Sequence, residues 1–332
     1  MKTTHTIYCE DSTQISFPKH EIVVTSPPYP MVEMWDSVFA QMNQNIKNAY
    51  GYNKFELMHQ ELDKVWKNIS DSIVEGGIVC INIGDATRTS NDRFKLYPNH
   101  SRIIKKMIDL GFDVLPEIIW KKTSNKPNKF MGSGMKPPNA YVTQEHEYIL
   151  IFRKGKRRNP TKRDKSAYFS TERNKWFSDI WEVSAASQSG SSRDVSAEYP
   201  LEIPYRLINM FSSYGDTVLD PFWGTGTTTI ASMISARNSC GIEIDQEFVD
   251  TFTPNRIKEL SNQKVRERIE LHKSHVSEGN YKTKHGIEVH SKDEKDVEFY
   301  TVDNVVLNQH GYTIKHKEFM DNVSIQQTFD VF

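Results

Sequence analysis

Two short stretches of the 332-residue chain hold residue types whose spacing can do chemistry. The first is Thr25-Ser26-Pro27-Pro28-Tyr29, directly after the apolar run Ile22-Val23-Val24. Consecutive prolines fix φ and delete two N–H donors. The Ser26 hydroxyl and the Pro27 carbonyl are then left as acceptors where the run ends. Such a pair can take both hydrogens of an –NH2 group and free its lone pair for attack on an electrophilic methyl. Tyr29 offers a face on which an extruded base can stack. Taken alone, the stretch also reads as a proline-terminated strand with a buried tyrosine.

The second stretch is Asp220-Pro221-Phe222-Trp223-Gly224-Thr225-Gly226-Thr227, set between a strand pattern and a helix pattern, with Glu243 following 23 residues on. A Gly-rich turn lets backbone approach a ligand, and an acid about 20 residues later can grip ribose hydroxyls. No Lys follows Gly226, which argues against a phosphate-cradling loop, and Thr229 stands where a dinucleotide fingerprint needs a third small residue. Asp220 is ill-suited to pyrophosphate but suits a cationic amino group, such as the methionine end of S-adenosylmethionine. Phe222 and Trp223 read either as aromatic faces flanking a sulfonium or as core packing.

Both stretches must sit on elements that hold them still. Short apolar runs alternate with helix-like segments, the pattern of a doubly wound, mostly parallel α/β sheet. Residues 52–74 place Phe55, Met58, Leu62, Val65, Trp66 and Ile69 at helical spacing. Strands are expected at 78–83, 114–120, 217–220 and 240–244, and helices at 101–110, 204–211, 227–236 and from about 258 to 275. From Lys121 to Lys175 the sequence carries fifteen Lys and Arg against four Asp and Glu. The Ser/Gly tract from Ser184 to Ser192 reads as a mobile loop. After Tyr281 short strands are expected, with Gly311 marking a hairpin turn and no chemistry assignable.

Composition excludes several classes. The formal net charge is -1 and the hydrophobic content 37%, so only local basic clusters point to a nucleic acid. Cys9, Cys80 and Cys240 show no CxxC spacing, giving neither a zinc site nor a disulfide framework. Glu145-His146-Glu147 lacks the HExxH continuation, and a hydrogen-bonding or structural role is expected there rather than a metal. With no signal-peptide pattern and no long apolar run, a cytoplasmic protein without membrane contact is expected.

The pair Ser26-Pro27-Pro28-Tyr29 and Asp220 to Thr228 resembles the catalytic and cofactor motifs of the DNA amino-methyltransferases of restriction–modification systems. Their order, catalytic loop first, is similar to the permuted β class. Tyr8-Cys9-Glu10-Asp11 looks like that class's Gly-Asp segment near the cofactor's adenine, with Glu10 where Gly is usual. Tyr199-Pro200-Leu201-Glu202-Ile203-Pro204 resembles its Phe-Pro-x-x-Leu-Pro segment, and Gly241-Ile242-Glu243 its ribose-binding acid. The resemblance covers residues 7–252, with the motifs in the same order.

The resemblance implies a Rossmann-like methyltransferase fold and S-adenosylmethionine as cofactor. It implies Ser26, Pro27, Pro28 and Tyr29 as the catalytic set. Cofactor contacts fall to Asp11, Asp220, Pro221, Phe222, Trp223, Gly224, Gly226, Thr227 and Glu243. Ser as the first residue of the catalytic motif implies methylation at cytosine N4, with adenine N6 the alternative. Cytosine C5 is set aside, because none of the three cysteines follows a proline.

The family places target recognition in the basic region. Division of the chain into 1–120, 121–197, 198–258 and 259–332 follows, as catalytic half, target-recognition region, cofactor half and extension. Lys154, Lys156, Arg157, Arg158, Lys162 and Arg163 are then expected to grip DNA phosphates, unless the stretch is merely a solvated loop. Expected partners are duplex DNA and a cognate endonuclease that shares the site without binding the chain, which itself acts as a monomer or homodimer. Two rivals remain: a methyltransferase for RNA or a small molecule, and a catalytically dead binding module.

Overall fold

A computed structural model describes residues 1–90, 93–122, 137–138, 141–184, 199–277 and 298–319. Most of the Ser184 to Ser192 tract and much of the 121–197 region therefore lie outside the described residues.

The apolar runs form one ten-stranded sheet. Its centre is β1 (Lys2–Cys9), β2 (His20–Thr25), β3 (Ile73–Ile83), β9 (Thr217–Asp220) and β10 (Asn238–Glu243), all parallel in the order β1-β10-β9-β2-β3. Beyond β3 come β7 (His146–Lys154), antiparallel, then β6 (Phe112–Lys121) and β8 (Ile180–Glu182). On the other flank β12 (Gly311–Glu318) pairs antiparallel with β1 and with β11 (Tyr300–Asn308). A separate hairpin is formed by β4 (Ala86–Ser90) and β5 (Arg93–Tyr97).

Alternation along the strands builds two apolar layers. Val23, Val79, Ile81 and Leu219 point to one face, and Ile22, Val24, Cys80 and Val218 to the other. The first face is covered by α2 (Gly51–Ser72) and α3 (Asn99–Asp109), and every residue of the expected stripe on α2 is buried. The second face is covered by α5 (Glu202–Phe211), α6 (Thr227–Ile234) and the start of α8 (Ile257–Ser277). The remaining helices, α1 (Asp36–Met42), α4 (Ser170–Trp176) and α7 (Gln246–Thr251), are shorter. The doubly wound, mostly parallel fold is as expected.

The expected division of the chain does not follow the packing. The 121–197 region supplies β7, which lies between β3 and β6 inside the main sheet. Likewise the last segment is no appendage, since its hairpin extends the sheet. Thr3 Oγ1 lies 2.9 Å from the ring nitrogens of both His5 and His316, joining β1 to β12. Burial, with the neighbouring His316, depresses the His5 pKa to about 3, so the ring is a neutral hydrogen-bonding group. Among the described residues no helix is long and apolar enough to cross a membrane.

Candidate active site

In open α/β sheets, ligands bind beyond the carboxyl ends of the strands where the order switches direction. Here β2 and β9 are neighbours in register, Ile22 opposite Val218 and Val23 opposite Leu219. Both expected loops therefore leave the sheet side by side. The Thr25 hydroxyl donates a 2.6 Å hydrogen bond to Asp220 Oδ1, tying the last residue of one strand to the last of the other. Sequence reasoning gave Thr25 no role of its own.

The catalytic loop is fixed by side chains from two further strands. Tyr29 donates its hydroxyl to Glu147 Oε2 on β7 at 2.8 Å. Asn82 on β3 donates to the Tyr29 hydroxyl and to Glu147 Oε2, both at 2.7 Å. Ser26 Oγ lies 3.2 Å from the Tyr29 hydroxyl, and Lys122 forms an ion pair with Glu147 Oε1. Burial, followed by the Glu147 carboxylate, raises the Tyr29 pKa well above its ordinary value, which keeps the phenol a proton donor. Asn99 holds the following turn through Pro30 O (3.0 Å) and Gly84 O (2.9 Å). Met31, just past the loop, sits at φ +67°, a strained backbone that this scaffold holds in place.

Asn82, Glu147 and Lys122 were missed as site residues. Glu147 does hydrogen-bond, as expected, but nothing in its local sequence aims it at Tyr29. The signal available was Asn82, a polar residue within the apolar run from Ile78 to Ile83.

The cofactor loop is shaped by backbone and packing instead. Gly226 has φ +84°, and a Cβ there would lie 2.6 Å from the Phe252 ring and 2.7 Å from the Trp223 ring. Gly224 has φ +53°, but a Cβ there would meet nothing within 4 Å, so the loop's free space opens above this residue. Glu243 Oε2 accepts the Gly224 N–H at 2.6 Å, and its Oε1 accepts those of Ile244 and Asp245. The Asp11 segment is brought alongside, with Glu10 N donating to Glu243 O at 2.9 Å. Asp11 Oδ1 itself accepts the Thr13 N–H at 2.8 Å. Pro221 is buried, while Thr227 opens α6 half-exposed.

Trp223 is a correction. It is 2% exposed, donates its indole N–H to Thr229 Oγ1 at 2.8 Å and packs edge-on to Phe252. A Cβ on Gly241 would lie 2.1 Å from its ring, so the indole props the loop from beneath and offers no face to a ligand. Phe222 is half-buried, edge-on to Trp66, and remains at the loop's surface.

The basic cluster is a second correction. Because β7 runs antiparallel to β3, Lys154 and the residues after it fall at the amino edge of the parallel strands, opposite both loops. Lys154 donates to Ser70 Oγ at 2.8 Å, Lys156 N to Glu75 Oε1 at 2.8 Å, and Arg158 pairs with Asp216, just before β9. Lys162 approaches Gly215, while Arg157 and Arg163 share a cavity with Gly76. None of these six lies at the edge where a base would be methylated.

The charge of the donor set suits S-adenosylmethionine. Asp220 is buried with its pKa raised to about 6, burial being the main cause, opposed by the Thr228 and Thr25 hydroxyls. Asp220, Glu243 and Asp11 gather carboxyl groups around the cofactor loop itself, which disfavours a pyrophosphate there and suits an ammonium, a sulfonium and ribose hydroxyls. With open space over Gly224, the residues fit that cofactor.

Comparison with known proteins agrees. Residues 21–254 match the N6/N4 family described as DNA methylase. The chain is 48% identical to the Type II methyltransferase M.MthZI of Methanothermobacter thermautotrophicus, covering 90% of this chain and 91% of that one. It is 49% identical to M.MjaI of Methanocaldococcus jannaschii, covering 74% and 89%. Among solved structures it resembles a putative DNA modification methylase of Thermus thermophilus in complex with S-adenosyl-L-methionine. That likeness has 32% identity and a TM-score of 0.60, over 79% of this chain and 96% of the other. The cytosine-N4-specific PvuII DNA methyltransferase shares the fold, with TM-score 0.54 at 19% identity over 79% and 93% of the two chains. With its catalytic loop preceding its cofactor loop, the chain belongs to the N6/N4 DNA methylases, the S-adenosylmethionine-dependent amino-methyltransferases, in the permuted β-class order.

Proposed function

We propose that the chain methylates the exocyclic N4 of a cytosine flipped out of duplex DNA, at a specific site protected in a Type II restriction–modification system. The observation that carries this is the 2.6 Å Thr25–Asp220 hydrogen bond, which sets Ser26-Pro27-Pro28-Tyr29 beside the cofactor loop. Relatives named Type II methyltransferases support the biological setting.

When bound, S-adenosylmethionine supplies an electrophilic methyl group. Asp220 and Glu243 would hold its amino and ribose groups, with Asp11 and Phe222 beside the adenosine. The chain's own part is positioning. Ser26 Oγ and the Pro27 carbonyl accept the two amine hydrogens, and Tyr29 supports the base from its face. Asn82 and Glu147 keep the tyrosine from rotating. Most of the acceleration then comes from orientation and fixed dipoles, with no covalent enzyme intermediate. Cys80 and Cys240 are buried with thiols raised above their ordinary range, so neither is a nucleophile poised for C5 chemistry.

DNA approaches the catalytic edge, where β6 ends at Lys121 and β7 begins at His146. One observation favours adenine N6 instead. Glu147 brings a carboxylate into the loop's network, the group that an acid in first motif position would supply.

Incubation with labelled cofactor and unmethylated genomic DNA, followed by nucleoside analysis, decides the matter. N4-methylcytosine is expected, whereas N6-methyladenine would overturn the base assignment. Label transferred only to RNA or small amines would overturn duplex DNA as substrate.

A further inference from the structure

The amino edge of the sheet, opposite the active site, holds a cavity of about 780 Å³. Five guanidinium groups line it, from Arg153, Arg157, Arg158, Arg163 and Arg173, and among the described residues no Asp or Glu does. Two of the five form ion pairs, Arg158 with Asp216 and Arg153 with Asp113. Arg157, Arg163 and Arg173 are exposed and, among the described residues, form no ion pair.

Several of the cavity's other polar groups are committed elsewhere. Asn209 donates to Tyr205 O and Ser235 Oγ, Ser212 donates to Ile208 O, and Ser213 N–H goes to Asp216. Three guanidiniums without an ion pair among the described residues thus line one space. Like charges gathered without carboxylates repel one another unless an anion completes them, and the planar guanidinium fork suits phosphate oxygens in particular.

The remaining wall is apolar, formed by Ile78, Leu115, Tyr168, Met210 and Phe211. The volume falls within the ~300–1,000 Å³ typical of small-molecule pockets and exceeds what a lone phosphate fills. We propose that this cavity binds a nucleotide, its phosphates on Arg157, Arg163 and Arg173 and its base against the Tyr168–Phe211 wall. The site is separate from the methyl-transfer site. Glu147 and Arg153 stand on the same strand six residues apart, about 20 Å at roughly 3.3 Å per residue.

The nucleotide can be free or stand at the end of a nucleic-acid strand, and the experiment separates these. The full-length protein, saturated with S-adenosylhomocysteine to block the cofactor site, is titrated with ADP, inorganic pyrophosphate and a 5′-phosphorylated oligonucleotide. Saturable ADP binding is expected, tighter than pyrophosphate, and weakened at least about tenfold by R157Q/R163Q/R173Q. For the oligonucleotide, the log-affinity of wild type should fall with log salt about 0.7 more steeply per lost phosphate contact than that of the variant.

Oligonucleotide binding tighter than ADP and equally sensitive to the three substitutions supports the site with a strand end as its source. Equal affinity for ADP and pyrophosphate overturns the base wall. ADP binding that the triple variant leaves unchanged, or no binding by any probe, overturns the site. The substituted arginines are exposed, so the variant's thermal transition should match wild type, and a match shows that any loss of binding is local.

Discussion

The two loops at the carboxyl edge of the sheet are held by different means. The cofactor loop is shaped by its own backbone. Glycines at φ +53° and +84° turn it, and Trp223 fills the space beneath. The catalytic loop has no glycine and is held from outside, by Asn82 and Glu147 on strands β3 and β7. A loop of the first kind should tolerate little change within itself. A loop of the second kind should be equally sensitive to residues more than fifty positions away.

The sharpest contrast lies within the cofactor loop. Gly226→Ala must adopt a left-handed backbone, about 1–2 kcal/mol, and also displace Phe252 or Trp223, a further ~1–3 kcal/mol of overpacking. Gly224→Ala carries the backbone cost alone. Chemical denaturation should therefore show Gly226→Ala as the less stable by roughly 1–3 kcal/mol. Equal losses would mean that Trp223 does not prop the loop.

Next in size is Tyr29→Ala. Losing an aromatic face under a base costs about 1–3 kcal/mol, so turnover should fall roughly 10- to 100-fold. Cofactor affinity, read by calorimetry, should stay within about twofold. Parallel loss of both would merge the two loops into one unit.

Dependence of the catalytic loop on its supports is read by a double-mutant cycle. Tyr29→Phe and Glu147→Gln should each reduce turnover, and together by less than the product, with a coupling of about 0.5–3 kcal/mol. Strict additivity would remove Glu147 from the site.

The smallest effect is on pH. Asp220 has its pKa raised to about 6, and only its carboxylate attracts a cation. Cofactor affinity should be full above pH 6 and weaken as pH falls through it, by up to about tenfold per unit. In Asp220→Asn the profile should be flat. Stability runs the other way, since the folded form holds this proton more tightly than the unfolded one. The contribution of Asp220 therefore declines between about pH 4 and 6 and changes no further above.

Much of the candidate site was legible because both loops announce themselves locally. Two prolines after an apolar run, and two glycines between strand and helix, impose a backbone that any fold must respect. The basic stretch was misread for the opposite reason. Charge clustering locates residues along the chain, but which edge of the sheet they reach depends on strand direction. One antiparallel strand, β7, carries Glu147 to the active site and delivers Lys154 and the residues after it, Arg157 included, to the opposite edge.

The sequence by itself determined the order of the motifs and the residues on which the proposed chemistry rests: acceptors for an amine, an acid for a cation and a Gly turn for a nucleoside. Local rules of φ, donors and spacing suffice for that. Only the tertiary structure decided that Thr25 joins the loops, that Asn82 and Glu147 hold Tyr29, that Trp223 is a prop, and that five arginines meet at the edge opposite both loops. Each of these depends on contacts between residues distant in sequence, which strand order and burial alone bring together.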